Sequence, residues 1–97
     1  MVPVYSVSVQ AENDLDEITE FTLKNWGPHQ ADLYLTRLEE AFQLLAENPA
    51  IGREADLLRK HLRRFEIGKH VVFYMPGRDG ILIVRVLHES MLPSNYL

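Results

Sequence analysis

Cysteine is absent from this 97-residue chain, so neither disulfides nor thiolate chemistry can contribute. No apolar run approaches the roughly 18 residues that a membrane-spanning helix needs. The opening residues, Met1 to Ser6, lack the charged start and apolar stretch of a secretory signal. A cytoplasmic location fits these absences. No Gly-x-Gly-x-x-Gly or Gly-Lys-Ser/Thr run is present to cradle a phosphate, and no Gly-x-Ser-x-Gly run to raise a nucleophilic serine. His61, His70 and His88 do not fall at metal-ligand spacing, so no metal and no cofactor is expected. Internal repeats, low-complexity tracts and linkers are missing too. Together with the length, this predicts a single domain over residues 1–97.

What the chain does have is an ordinary globular composition, 46% hydrophobic and 25% charged. Its net charge is −4, and the distribution says more than the total. Residues 1–50 carry 2 basic and 9 acidic side chains, whereas residues 51–97 carry 8 and 5. A basic half inside an acidic protein suits an acidic partner or a nucleic acid. It also suits two layers of one fold that partly neutralise each other.

Tyr5 to Val9 alternates aromatic or β-branched residues with serine, which predicts a strand. Gln10 to Asn25 has helical spacing, with Ala11, Leu15, Ile18, Phe21, Thr22 and Trp26 on the inward face. Gly27 ends this helix and Pro28 suits the first turn of the next. His29 to Glu47 predicts a second helix with Ala31, Tyr34, Leu35, Leu38, Ala41, Phe42 and Leu45 inward. Trp26 and the aromatic residues of the second helix are expected in the core. Asn48-Pro49 stops that helix, and Ala55 to Lys60 predicts a short helical turn. Strands are expected at His61–Ile67, Lys69–Met75 and Ile81–His88, with a hairpin loop over Pro76–Gly80. The apolar content of the last strand suits a central position covered on both faces. The order predicts an α+β fold, an N-terminal strand and a helix hairpin packed on one face of a three-stranded antiparallel meander. The partner of the first strand is not legible in the local pattern.

The residues that could carry chemistry are Arg59, Lys60, Arg63, Arg64, Lys69, His70, Arg85, His88 and Tyr96. Such a set can grip a phosphate backbone. Arg, His and Tyr can also cleave RNA by acid–base and electrostatic catalysis. Against this, Arg63 and Arg64 read as strand-edge charges that discourage aggregation. Arg85, in the middle of an apolar strand, demands a partner, which an acidic residue of the helix hairpin can supply. The acidic run Glu12, Asp14, Asp16, Glu17 and Glu20 reads as a solvated helix face, favoured in its first turn by the helix dipole.

Over nearly its whole length the chain resembles the ParE branch of the bacterial RelE/ParE toxins. The resemblance is carried by Ala11-x-x-Asp14-Leu15-x-x-Ile18, Trp26-Gly27, Gln30-Ala31, Tyr34-Leu35, Leu45-Ala46, Asn48-Pro49 and Gly52-Arg53. It is strongest in Leu62-Arg63, Gly68, His70 to Tyr74, Val84 to His88, and Met91. It implies a plasmid-stabilising toxin that inhibits growth by trapping DNA gyrase on cleaved DNA. It also implies a ParD-type antitoxin whose C-terminal segment wraps the toxin. On that reading the protein is not an enzyme, and it contacts its target through Arg59, Lys60, Arg63, Arg64, Lys69, His70, Met91, Tyr96 and Leu97. No membrane and no sequence-specific nucleic-acid contact is implied.

RelE-type relatives instead cut messenger RNA on the ribosome, and here Arg85, His88 and Tyr96 would serve that role. His88-Glu89-Ser90-Met91 favours the ParE side, and Tyr96 sits beyond the position of the RelE tyrosine. One departure stands out: Ser90-Met91-Leu92 replaces the Arg-Met-Asp common in ParE proteins. The family links this tail to toxicity, so a third reading is an inactive homologue that still binds its antitoxin.

Overall fold

The computed structural model describes residues 3–97; Met1 and Val2 lie outside them. Five strands and two helices follow one another as β1 (Val4–Val7), α1 (Val9–Trp26), α2 (Pro28–Glu47), β2 (Arg53–Glu54), β3 (Arg63–Ile67), β4 (His70–Pro76) and β5 (Gly80–His88). A short 3-10 turn, Pro93–Asn95, lies in the tail. The architecture is α+β, and the last three strands form the expected antiparallel meander.

The first strand is shorter than its alternation suggested, because Ser8 ends it. Ser8 Oγ accepts from the Ala11 N–H at 3.0 Å, capping α1, so Val9 is helical and not extended. The same hydroxyl donates to the Val84 carbonyl at 2.7 Å, and Ser8 N–H donates to Ile83 O at 2.9 Å. The cap thus ties the start of α1 to the strand beside it. That strand is β5, with which β1 pairs in parallel from Val4–Gly80 to Val7–Ile83. The sheet order is β1-β5-β4-β3-β2, so β5 is indeed interior. A Cβ at position 80 would collide with the Val4 carbonyl, so glycine there permits the close β1–β5 approach.

Gly27, at φ 89°, breaks the two helices apart in a conformation that glycine adopts freely. The hairpin covers one face of the sheet. Ala11, Leu38, Phe42 and Leu45 pack there against Val72, Tyr74, Ile81, Ile83 and Val86. The opposite face has its own cover. Ala55, Leu58 and Leu62 of the 55–62 loop, with Met91 and Leu97 of the tail, pack on Val71, Phe73, Val84 and Leu87. The expected helical turn is present as one uncontinued turn, with Leu58 and Arg59 N–H both donating to Ala55 O, and further turns follow it. The two-residue strand β2 had no sequence signal of its own. It exists because Arg53 and Glu54 pair with Arg64 and Arg63.

One irregularity governs the site. Phe73 pairs with Arg85 while Tyr74 pairs with Ile83, leaving Val84 as the extra residue of a β-bulge. Along a regular strand Ile83 and Val86 would face opposite sides. The bulge switches the alternation, so both reach the helix-side core.

Tyr74 shows how the polar parts of this core are satisfied. Its ring is buried, its hydroxyl donates to Pro49 O at 2.7 Å, and it accepts from Gly52 N–H at 2.9 Å. A Tyr74→Phe substitution leaves both backbone groups without their partner. Urea denaturation is expected to show a loss of about 1–3 kcal/mol with an unchanged fold.

Candidate functional site

The site begins with an ion pair. Asp14 lies on α1 at i+3 from Ala11 and i−4 from Ile18, on the stripe that faces the sheet. It is 8% exposed, so the expectation that the whole acidic run is a solvated face fails at this position. Its spacing within the apolar stripe was the signal that could have identified it. Asp14 Oδ2 accepts from Arg85 Nε at 2.8 Å, and Oδ1 from Nη2 at 2.8 Å. Oδ2 also accepts the backbone N–H of Val86 at 2.9 Å. That N–H lies beyond the end of β1, on the side of β5 that β1 no longer covers. Asp14 therefore completes the sheet edge as well as neutralising Arg85. The hydrogen bond to Asp14, ahead of the opposing effect of burial, raises the Arg85 pKa and keeps the guanidinium charged. Its remaining nitrogen, Nη1, donates to Tyr96 O at 3.2 Å, and the Tyr96 ring lies 5.5 Å beneath the cation. The expected acidic partner on the hairpin is thus present, and it holds the tail as well.

Beside this pair a groove of about 620 Å³ opens between α1, the start of α2 and the ends of β4 and β5. Ile18, Phe21, Thr22 and Trp26 form its α1 wall. Trp26 is 70% exposed and Phe21 65%, which corrects the expectation that both lie in the core. The end of the hairpin overhangs the end of the sheet, so no strand lies beneath these side chains to bury them. Phe42 is buried as expected, while Tyr34 is only half-buried and lines the groove.

The sheet wall carries Lys69, His70, His88 and Met91. Tyr34 OH lies 2.6 Å from His70 Nδ1 and accepts the Lys69 N–H at 3.3 Å. Burial raises the Tyr34 pKa, so its proton stays in place. The His70 and His88 rings stand perpendicular with centroids 5.4 Å apart. Burial first, and then the charge of His88, push the His70 pKa down, against a weaker pull from Glu89. Lys69 and Glu89 face each other at 3.7 Å as an exposed pair, of the kind that contributes little. His88 Nδ1 lies 2.7 Å from Ser90 Oγ and accepts the Ser90 N–H at 3.1 Å.

The other basic candidates lie elsewhere. Arg59 and Lys60 are exposed on the 55–62 loop. Arg63 and Arg64 are not free edge charges. Arg63 Nη1 donates to Gly52 O at 2.6 Å, and Arg64 stacks over Phe73 at 5.4 Å, so both brace β3. Leu97 packs in the second core. Of Arg85, His88 and Tyr96, the structure brings Arg85 and Tyr96 into contact and ties Arg85 to Asp14, while His88 stands beside His70 and Ser90. Among the described residues no group of three His, Cys, Asp or Glu side chains could hold a metal ion. Among the described residues no helix is long and apolar enough to cross a membrane.

An α+β domain with an apolar groove, a tied arginine and a docked tail is built to bind and be bound. Known proteins identify the class. The chain matches the family described as the ParE toxin of the parDE type II toxin–antitoxin system over residues 5–93. It is 41% identical over 88 residues to Toxin ParE1 of Mycobacterium tuberculosis, covering 90% of each chain. Toxin ParE1 of Caulobacter vibrioides is 40% identical over 87 residues, again with 90% of each covered. Toxin ParE of Escherichia coli is 32% identical over 88 residues, 90% of this chain and 85% of that one. The same fold appears in the chromosomal ParDE system of P. aeruginosa, at TM-score 0.74 and 20% identity over 90% of this chain and 96% of that one. The chain belongs to the ParE family of type II toxins.

Two outcomes follow from this geometry. Asp14→Ala strands a largely buried guanidinium and the Val86 N–H, so equilibrium unfolding is expected to show a loss of about 3–5 kcal/mol. His70 yields the pH dependence. Its folded-state pKa lies below its unfolded value near about 6.5, so its contribution is fully present above that pH and is lost as pH falls through the folded value. A His70→Gln variant should therefore lose less stability than the parent between about pH 7.5 and pH 5, measured by urea midpoints.

Proposed function

We propose that this toxin acts on DNA gyrase by binding, without being an enzyme, and that a ParD-type antitoxin neutralises it by laying a segment in the groove. Membership of the ParE family carries the reading. Support comes from Arg85, three of whose five N–H groups are engaged by Asp14 and the Tyr96 carbonyl, which ties the guanidinium into the fold. Exposed Phe21 and Trp26, set beside half-buried Ile18, offer the apolar anchors that an amphipathic peptide segment needs. The target surface is the exposed part of the basic segment, Arg59, Lys60 and Lys69, with the tail beside it. Arg63 and Arg64 support that surface by bracing β3. The protein works in the cytoplasm, where gyrase is, and needs no cofactor, no membrane and no sequence-specific DNA contact.

The test is a gyrase supercoiling and cleavage assay with purified, antitoxin-free protein. Lost supercoiling and accumulated cleaved DNA, reversed by the antitoxin, are the expected result. The Arg59→Glu/Lys60→Glu variant should need about tenfold more protein for the same inhibition, equivalent to about 1.4 kcal/mol. Undiminished inhibition by that folded variant removes the loop from the contact. Absence of any effect from the parent protein removes gyrase from the reading and leaves an antitoxin-binding homologue without toxicity.

A further inference from the structure

We propose that the sheet wall of the groove is a carboxylate-binding site, made by His70 and His88, that selects one acidic side chain of the antitoxin segment. The inference rests on the reading of the groove as the antitoxin's seat and specifies what that seat recognises.

The argument begins with the protons. Ser90 N–H donates to His88 Nδ1 at 3.1 Å, so that nitrogen is an acceptor and the neutral ring carries its hydrogen on Nε2. His70 reaches the same state by another route. Tyr34 OH already accepts the Lys69 N–H, and its own hydrogen has two possible acceptors, His70 Nδ1 at 2.6 Å and Ile67 O at 3.4 Å. The shorter contact takes it, which leaves His70 as the Nε2–H tautomer. Both imidazoles thus have Nδ1 satisfied within the protein and Nε2–H unassigned. They stand perpendicular, with centroids 5.4 Å apart, in the wall of one groove.

Two N–H donors on rings whose centroids lie 5.4 Å apart suit an acceptor with two oxygens. A carboxylate is such a group. The rest of the groove points to a peptide as its carrier. The lining is mainly apolar, and the charges facing the histidines are few. Lys69 is already paired with Glu89, and on α1 Asp14 is consumed by Arg85. That leaves Glu17 as the acid on the opposite wall. A segment entering the groove is therefore repelled by α1 and attracted by the sheet if it carries an acid. This fixes its rotation about its own axis.

The test uses the full-length toxin and the full-length ParD-type antitoxin encoded with it. Each acidic residue of the antitoxin's C-terminal segment is changed to its amide, one at a time, and binding is measured by calorimetry. One such change is expected to weaken binding about tenfold, and to cost about twofold or less against toxin carrying His88→Phe, an exposed position. Nitrogen-15 spectra of the free toxin's histidines should show the Nε2–H form of both. The proposal is overturned if no single acid-to-amide change matters, if the loss is undiminished against His88→Phe, or if either ring is the Nδ1–H form. A parent pair that forms no complex at all overturns the groove reading together with this one.

Discussion

Everything at this end of the molecule depends on a single carboxylate. Asp14 must leave water to reach its place, and a buried acid is tolerable only with its charge and lone pairs matched. Arg85 supplies the charge and two hydrogen bonds, and the Val86 N–H supplies a third. The consequence is mechanical. α1 is fixed to β5 just where β1 stops, so the helix hairpin projects past the sheet end at a set height. The groove is the space that this height leaves. The tail is held from the same centre, since Arg85 also binds the Tyr96 carbonyl and stacks on its ring.

The bulge at Val84 sets the facing of Arg85 and of the residues after it. Without the extra residue, Arg85 would fall on the helix side of the strand, under the hairpin, where the core is apolar. With it, Arg85 pairs with Phe73 and bonds Asp14 of α1, while Val86 turns inward. The same shift places His88 in the groove wall and Leu87 in the second core. One inserted residue thus sorts four consecutive side chains into core, edge and groove.

Much of this was legible from local pattern. The period of α1 and α2, the Gly27-Pro28 break and the three-strand meander follow from residue spacing, which depends only on neighbours in sequence. The need of Arg85 for an acidic partner followed from burial alone. What escaped depends on pairs far apart in the chain. Asp14 looked like one more surface acid because its partner is 71 positions away. β2 lacked a signal because two residues make no period, and only the pairing with β3 creates it. Trp26 and Phe21 lie on the inward stripe of α1 as spacing requires, yet spacing cannot tell where the sheet beneath the helix ends. The ParE resemblance did carry Asp14, within Ala11-x-x-Asp14-Leu15-x-x-Ile18, before geometry explained it.

The unusual tail bears on the groove more than on charge. At position 90 a charged side chain would stand beside the His88 ring. Serine instead places its hydroxyl 2.7 Å from the ring and adds no charge. On the proposed reading the sheet wall attracts an acid through oriented donors and not through net charge. Oriented donors discriminate by geometry and are less weakened by salt than exposed charges. The exposed aromatics complete the logic, because Trp26 and Phe21 remain in water until that segment arrives. Their burial is then a gain of the complex alone, so binding stabilises the folded toxin as well as masking it.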